Sequence, residues 1–159
     1  MIKILRVDDR LIHGAVAFSW TKELSINLII LANDKIAKDE FQKMTLDIAK
    51  PRGTKLICDT MEKAIDEIKQ HLTDSVNVMI ITNNIPDANY ILEHVSDIKS
   101  LNLGGIRKKD DTVENLIGAI AVNQDDINIC NALVEKGIEV ECRLIPDGKK
   151  SYFKDFNLK

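Results

Sequence analysis

Short apolar runs recur along the chain between longer stretches of helical periodicity: IKIL (2–5), INLIIL (26–31), TKLIC (54–58), VNVMIIT (76–82), IKSLNL (98–103), IGAIAV (117–122) and IEVECRLI (138–145). The first six are continuously apolar rather than alternating, the pattern of strands covered on both faces. Between the third and fourth runs, Met61, Ala64, Ile65, Ile68 and Leu72 fall on one helical face, with Asp59 as the expected N-cap and Glu62 at the capping-box position. A second helix is predicted after Asn123, with Ile127, Cys130 and Val134 on its inner face and a stop at Gly137, where a left-handed C-cap favours glycine. Strands alternating with helices require crossover connections, and these are right-handed. The expected fold is therefore α/β: an open, mainly parallel sheet of about seven strands, covered by helices on both faces, with residues 1–159 forming one domain.

Composition removes several function classes. A net charge of −3 and a pI near 5.6 leave no global basic field to hold a nucleic acid or an anionic membrane. Cys58, Cys130 and Cys142 are odd in number, widely spaced and set in apolar segments. They suit buried reduced thiols rather than a disulfide framework or a metal site. No apolar stretch approaches the roughly 18 residues of a membrane span, and MIKILRVDDR lacks a leader's apolar core, so a cytoplasmic location is expected.

Phosphate recognition, if present, must be local, and one stretch stands out. RVDDRLIHG (6–14) directly follows the first strand and leads into a helix predicted from Gly14 to Leu24, with Val16, Ala17, Trp20 and Leu24 at helical spacing. His13 thus falls at a strand-to-helix turn on the carboxyl edge of the sheet, the edge where open parallel sheets bind ligands. Free amides from Gly14 onward, together with the helix dipole, favour an anion there by roughly 0.3–1 kcal/mol. Only five of the 22 basic residues are arginine, and Arg6 and Arg10 are two of them. Arginine's planar fork suits phosphate oxygens, and histidine supplies a nitrogen nucleophile able to take a phosphoryl group and pass it on. Asp8 and Asp9 would repel a phosphoryl group. One of them is better placed to hydrogen-bond the imidazole or Arg10 and fix its orientation. Set against this, an Asp-Asp-Arg cluster is often no more than a solvated loop.

Other candidates are weaker. Gly104 and Gly105 end the fifth strand on the same edge, and Arg107, Lys108 and Lys109 follow as a basic loop that would face His13. Asn33, Asp34, Thr82, Asn83 and Asn84 also end strands there, although such residues favour turns in any case. Arg52 belongs to the opposite edge, and His71 and His94 close amphipathic helices, where histidine is well tolerated.

R-V-D-D-R-L-I-H-G with tryptophan seven residues after the histidine resembles the active-site stretch of the IIB subunits of the mannose, fructose and sorbose family of the sugar phosphotransferase system. The similarity continues through ANDKIAKDEFQKM (32–44), N-L-G-G-I (102–106) and V-E-K-G-I-E-V-E (134–141). It implies that His13 receives a phosphoryl group from a IIA phosphohistidine. The group would then go to a sugar taken up through membrane IIC and IID subunits, a phosphohistidine-dependent sugar phosphotransferase activity. The family's loop aspartate and arginine match Asp8 and Arg10. The expected site therefore has Arg10 and the Gly14 amide as phosphate ligands and Asp8, Asp9 and Arg6 in support, with no metal or organic cofactor and with peripheral association to the membrane subunits. The sugar, the phosphorylated ring nitrogen and a homodimeric state stay open. Many members carry glutamine after the His-Gly pair and a small polar residue three positions on; this chain has Ala15 and Phe18, a difference that bears on partner or sugar preference. Two alternatives accompany this reading: a Rossmann-like nucleotide-binding enzyme, although neither GxGxxG nor a P-loop lysine motif is present, and a regulatory domain without chemistry.

Overall fold

The computed structural model describes residues 1–159 as nine strands and five α-helices: β1 (Ile2–Val7), α1 (Gly14–Glu23), β2 (Leu28–Ala32), α2 (Glu40–Ala49), β3 (Lys55–Asp59), α3 (Met61–Gln70), β4 (Val78–Thr82), α4 (Ile85–His94), β5 (Ser100–Leu103), β6 (Glu114–Leu116), β7 (Ile120–Val122), α5 (Gln124–Glu135), β8 (Glu139–Cys142) and β9 (Ser151–Tyr152). Seven strands form one sheet in the order β3-β2-β4-β1-β5-β8-β9. All its pairings are parallel except that of β9, which runs antiparallel to β8. β2 and β4 are buried along their whole length, as their unbroken apolar sequence requires. No helix is long and apolar enough to cross a membrane.

Each face of the sheet has its own core. On one side Ile4, Ile29, Leu31, Met79 and Ile81 pack beneath Ala17 and Trp20 of α1 and Leu46 of α2. On the other, Leu5, Val7, Ile30 and Ile80 pack beneath α3, α4 and α5. Within β1, Leu5 and Val7 face the second core and Ile4 the first, so Arg6 points toward α1.

The expected α/β architecture is present, with three local corrections. IGAIAV (117–122) is not a strand of the main sheet. Its second half is β7, which pairs antiparallel with β6 in a separate hairpin turned by Ile117 and Gly118, both at positive φ. The seventh strand of the sheet is instead β9, two residues long and without apolar signal. IEVECRLI is a strand only from Glu139 to Cys142, because the chain leaves the sheet at Arg143. Asp59 is not a helix cap: it pairs with Ala32 as the last residue of β3, and Thr60 caps α3 by accepting from the Lys63 amide.

Sequence-encoded caps begin α2, α4 and α5 as well, at Asp39, Asn84 and Asn123. At α5 the Asn123 side chain accepts from the Asp126 amide at 2.8 Å and the Asp126 carboxylate accepts from the Asn123 amide at 3.0 Å. Asn123→Ala removes this reciprocal box and is expected to cost about 1 kcal/mol, read by chemical denaturation. α1 is the exception. Its N-cap is His13, whose side chain makes no capping bond, so the first-turn amides of α1 have no side-chain acceptor.

Candidate functional site

The missing cap at α1 lies beside a change of direction in the sheet. After β1 the chain turns to α1 on one face; after β5 it passes through the β6–β7 hairpin to α5 on the other. The loops part there, and a crevice of about 370 Å³ opens at the carboxyl ends of β1 and β5. Its lining includes Asp8, Asp9, Arg10 and His13 from the first turn, Gly105, Arg107 and Lys108 from the β5 loop, and Leu144 from beyond β8.

Asp8 is the hub. Its side chain is only 2% exposed, and its Oδ2 accepts from Arg6 Nη2 at 3.0 Å and lies 3.0 Å from His13 Nε2. Its Oδ1 accepts from the Arg10 backbone amide at 3.1 Å. An ionised carboxylate only accepts, so Nε2 carries the proton and Nδ1 is the ring nitrogen without a protein partner. The imidazole is 29% exposed, anchored at Nε2 and open to the crevice.

A buried guanidinium stands behind Asp8. Besides Asp8, Arg6 donates to Asn102 Oδ1, to the Arg143 carbonyl at 3.1 Å and to the Leu144 carbonyl at 3.0 Å. Burial lowers its pKa from the ordinary arginine value, and the ion pair with Asp8 works against that fall. The Arg6 and Arg143 guanidinium carbons lie 5.2 and 5.1 Å from the Trp20 ring centre. The Trp20 indole N–H donates to the Leu144 carbonyl at 2.9 Å. Arg6 also lies against Gly104, where a Cβ would come 2.3 Å from Nη2.

Asp9 has a different task from Asp8. Its amide donates to the Gly105 carbonyl at 2.9 Å, and its Oδ2 accepts from Arg107 N at 2.9 Å and Arg107 Nε at 3.0 Å, so it holds the basic loop against the first turn. Arg10 differs from both Arg6 and Arg107: its side chain is exposed at the crevice and has no protein partner. Gly14 opens α1 at φ +43°.

The structure brings Arg6, Asp8, Asp9, Arg10, His13, Arg107 and Lys108 to one place. Lys109 and Arg52 are not part of the crevice lining. His71 is tied to Asp74 at 2.7 Å and His94 to the Tyr90 carbonyl at 2.7 Å. The three thiols are buried, and burial pushes the Cys142 pKa to about 12 and raises those of Cys58 and Cys130, which makes all three poor nucleophiles. Asn33 and Asn84 bond to nearby backbone amides as turn and cap residues. Two groups of residues escaped the sequence reading. Asn115, Gly118 and Ala119 of the hairpin line the crevice. Asn102 anchors Arg6, and its one signal was a polar residue inside a buried strand.

The chain is similar to known proteins along its whole length. The family model for the sorbose subfamily IIB component of the phosphotransferase system matches residues 2–159. Over 152 residues the chain is 28% identical to a fructose-specific EIIB component of Bacillus subtilis, covering 96% of this chain and 93% of that one. It is 33% identical over 152 residues to the mannose-specific EIIAB component of Escherichia coli, where the match takes in 94% of this chain but only 46% of the longer relative. Among solved structures, the IIB domain of the Klebsiella pneumoniae sorbose permease superposes with a TM-score of 0.89 at 27% identity, over 98% of this chain and 94% of that one. An N-acetylgalactosamine IIB component of Streptococcus pyogenes gives 0.87 at 26% identity, over 98% and 96% of the two chains. The chain belongs to the sorbose subfamily of phosphotransferase-system IIB components.

Proposed function

We propose that residues 1–159 act as one cytoplasmic phosphocarrier domain in which His13 Nδ1 accepts a phosphoryl group from a phosphohistidine of a IIA protein and passes it to a sugar presented by membrane IIC and IID subunits. The reading rests on one observation: the Nε2 side of the ring is held by a buried carboxylate, while Nδ1 is unpartnered at a crevice that also holds a free arginine and the uncapped start of a helix. In the loading step the Nδ1 lone pair attacks phosphorus, and the donor's N–P bond breaks with its electron pair returning to the donor imidazole. The loaded ring keeps its Nε2 proton and carries positive charge, which Asp8 faces. In delivery a sugar hydroxyl oxygen attacks phosphorus, the hydroxyl proton passes to solvent water at the open crevice, and the N–P electrons return to Nδ1. Charge-assisted contacts from Arg10 and the amides at Gly14 offset the crowding of charge in both steps.

The test is transfer from a phosphorylated IIA protein without added nucleotide, followed by mapping of the modified residue. The expected product is a single phosphohistidine at position 13, stable in alkali and hydrolysed by acid. Labelling that requires ATP favours a nucleotide-dependent enzyme, and a chain that is never labelled favours a regulatory domain. Arg10→Ala is expected to slow loading and delivery alike by about 10- to 100-fold, since one charge-assisted contact contributes about 1.5–3 kcal/mol. Arg10→Lys keeps the charge but loses the fork and should fall between. Rates of both half-reactions within about twofold of the native chain would remove Arg10 from the mechanism.

A further inference from the structure

We propose that Arg6 is a positioning residue that sets the balance between loading and release at His13 by sharing the Asp8 carboxylate. The inference rests on His13 being the phosphorylated residue. Asp8 Oδ2 is one oxygen with two partners, Arg6 Nη2 at 3.0 Å and His13 Nε2 at 3.0 Å. Negative charge drawn toward the guanidinium is not available to the imidazole. The loaded ring is cationic and the empty ring is neutral, so whatever strengthens the Asp8 field at Nε2 favours the loaded state and holds the phosphoryl group back from the sugar. A buried arginine on that carboxylate weakens the field. It holds the aspartate in orientation without letting it retain the phosphoryl group.

The surroundings show that this sharing is built in. Both Arg6 and Asp8 are 2% exposed, so water does not screen the pair. The other Arg6 Nη hydrogens are committed to Asn102 and to the carbonyls of Arg143 and Leu144, which fix the guanidinium in position. Gly104 leaves the space the guanidinium occupies. Other charged groups face the cluster from several elements. Arg10 and Asp9 lie on the same turn, Arg107 and Lys108 on the β5 loop, and Glu141 and Arg143 on and just beyond β8. Of these, Asp9 is already bonded to Arg107 and Glu141 to Arg143, which leaves Asp8 Oδ2 to Arg6 and His13.

The experiment measures two quantities in the native chain and in Arg6→Gln: the equilibrium constant for phosphoryl exchange with a phosphorylated IIA protein, and the NMR titration midpoint of the His13 ring. In Arg6→Gln the exchange equilibrium should move toward the loaded chain by about tenfold, with release to sugar slowed in proportion. The titration midpoint should rise by about one unit, the same free energy read another way. A merely structural role would slow both half-reactions and move neither quantity. Asn102→Asp keeps the arginine and the side-chain volume but offers the guanidinium a competing carboxylate. It should shift both quantities in the same direction by a smaller factor, and it serves if Arg6→Gln does not fold. Arg6→Lys retains the charge and should return both toward native values. Folded variants that load His13 with an unchanged equilibrium and midpoint would overturn the inference. A native chain that takes no phosphate at His13 would instead overturn the reading beneath it.

Discussion

His13→Gln is expected to abolish phosphoryl acceptance, with loading reduced more than about a thousandfold, while the fold stays intact. Glutamine has no ring nitrogen with a free lone pair, and no other residue near the crevice replaces it: the thiols are buried, and His71 and His94 are bonded elsewhere. Stability should change by less than about 1 kcal/mol, because the native side chain is partly exposed and makes one hydrogen bond, to Asp8, which a glutamine amide can also reach. Intact mass after incubation with a phosphorylated IIA protein reads the first effect, and thermal unfolding reads the second. Phosphate on the variant, or on another residue of the native chain, would refute the assignment of His13.

Gly104→Ala is expected to destabilise the protein by about 3 kcal/mol, the upper end of what overpacking costs, and to impair transfer with it. The added methyl would lie 2.3 Å from Arg6 Nη2 and 2.4 Å from Cζ, and the guanidinium cannot step aside without abandoning Asp8, Asn102 and two carbonyls. A displaced arginine leaves a buried carboxylate without its countercharge. The adjacent glycine is the control. A Cβ on Gly105 meets nothing closer than Asp8 Oδ1 at 3.9 Å, so Gly105→Ala should alter stability by no more than about 0.5 kcal/mol. Denaturation of both variants decides the matter: equal stabilities would mean that the close approach of Gly104 to Arg6 is not a constraint.

Signals that act over a few residues were legible in the sequence. The helix start at Asn123, the apolar face of α3 and the stop at Gly137 are local, and each lies where its pattern put it. The first turn was legible for a similar reason, since arginine, aspartate and histidine beside a strand end and a helix start form a local constellation. Pairing between distant segments was not. IGAIAV has strand composition, but composition does not name a partner, and the Ile117–Gly118 turn sends it back onto β6. The opposed roles of Asp8 and Asp9 were hidden too. Arg6 reads as a loop charge, and only the packing of Trp20, Asn102 and the segment after β8 shows it to be a buried anchor for one aspartate while Arg107 takes the other.

Under the proposed function, the anchoring of Arg6 also bears on when, during synthesis, the site is completed. Its bonds to the carbonyls of Arg143 and Leu144 span 137 and 138 residues, and that of Trp20 to Leu144 spans 124. A ribosome that has released β1 to β4 has delivered every residue of the RVDDRLIHG turn, and four neighbouring strands of the sheet can already pair. At that stage the guanidinium has neither Asn102 nor the two distant carbonyls, and Asp8 has no fixed countercharge. Closing so long a loop is among the slow, late events of folding. Under the proposed function, the histidine is made early but would become a preorganised nucleophile only after β5 and β8 have joined the sheet, which would tie phosphoryl competence to completion of the fold.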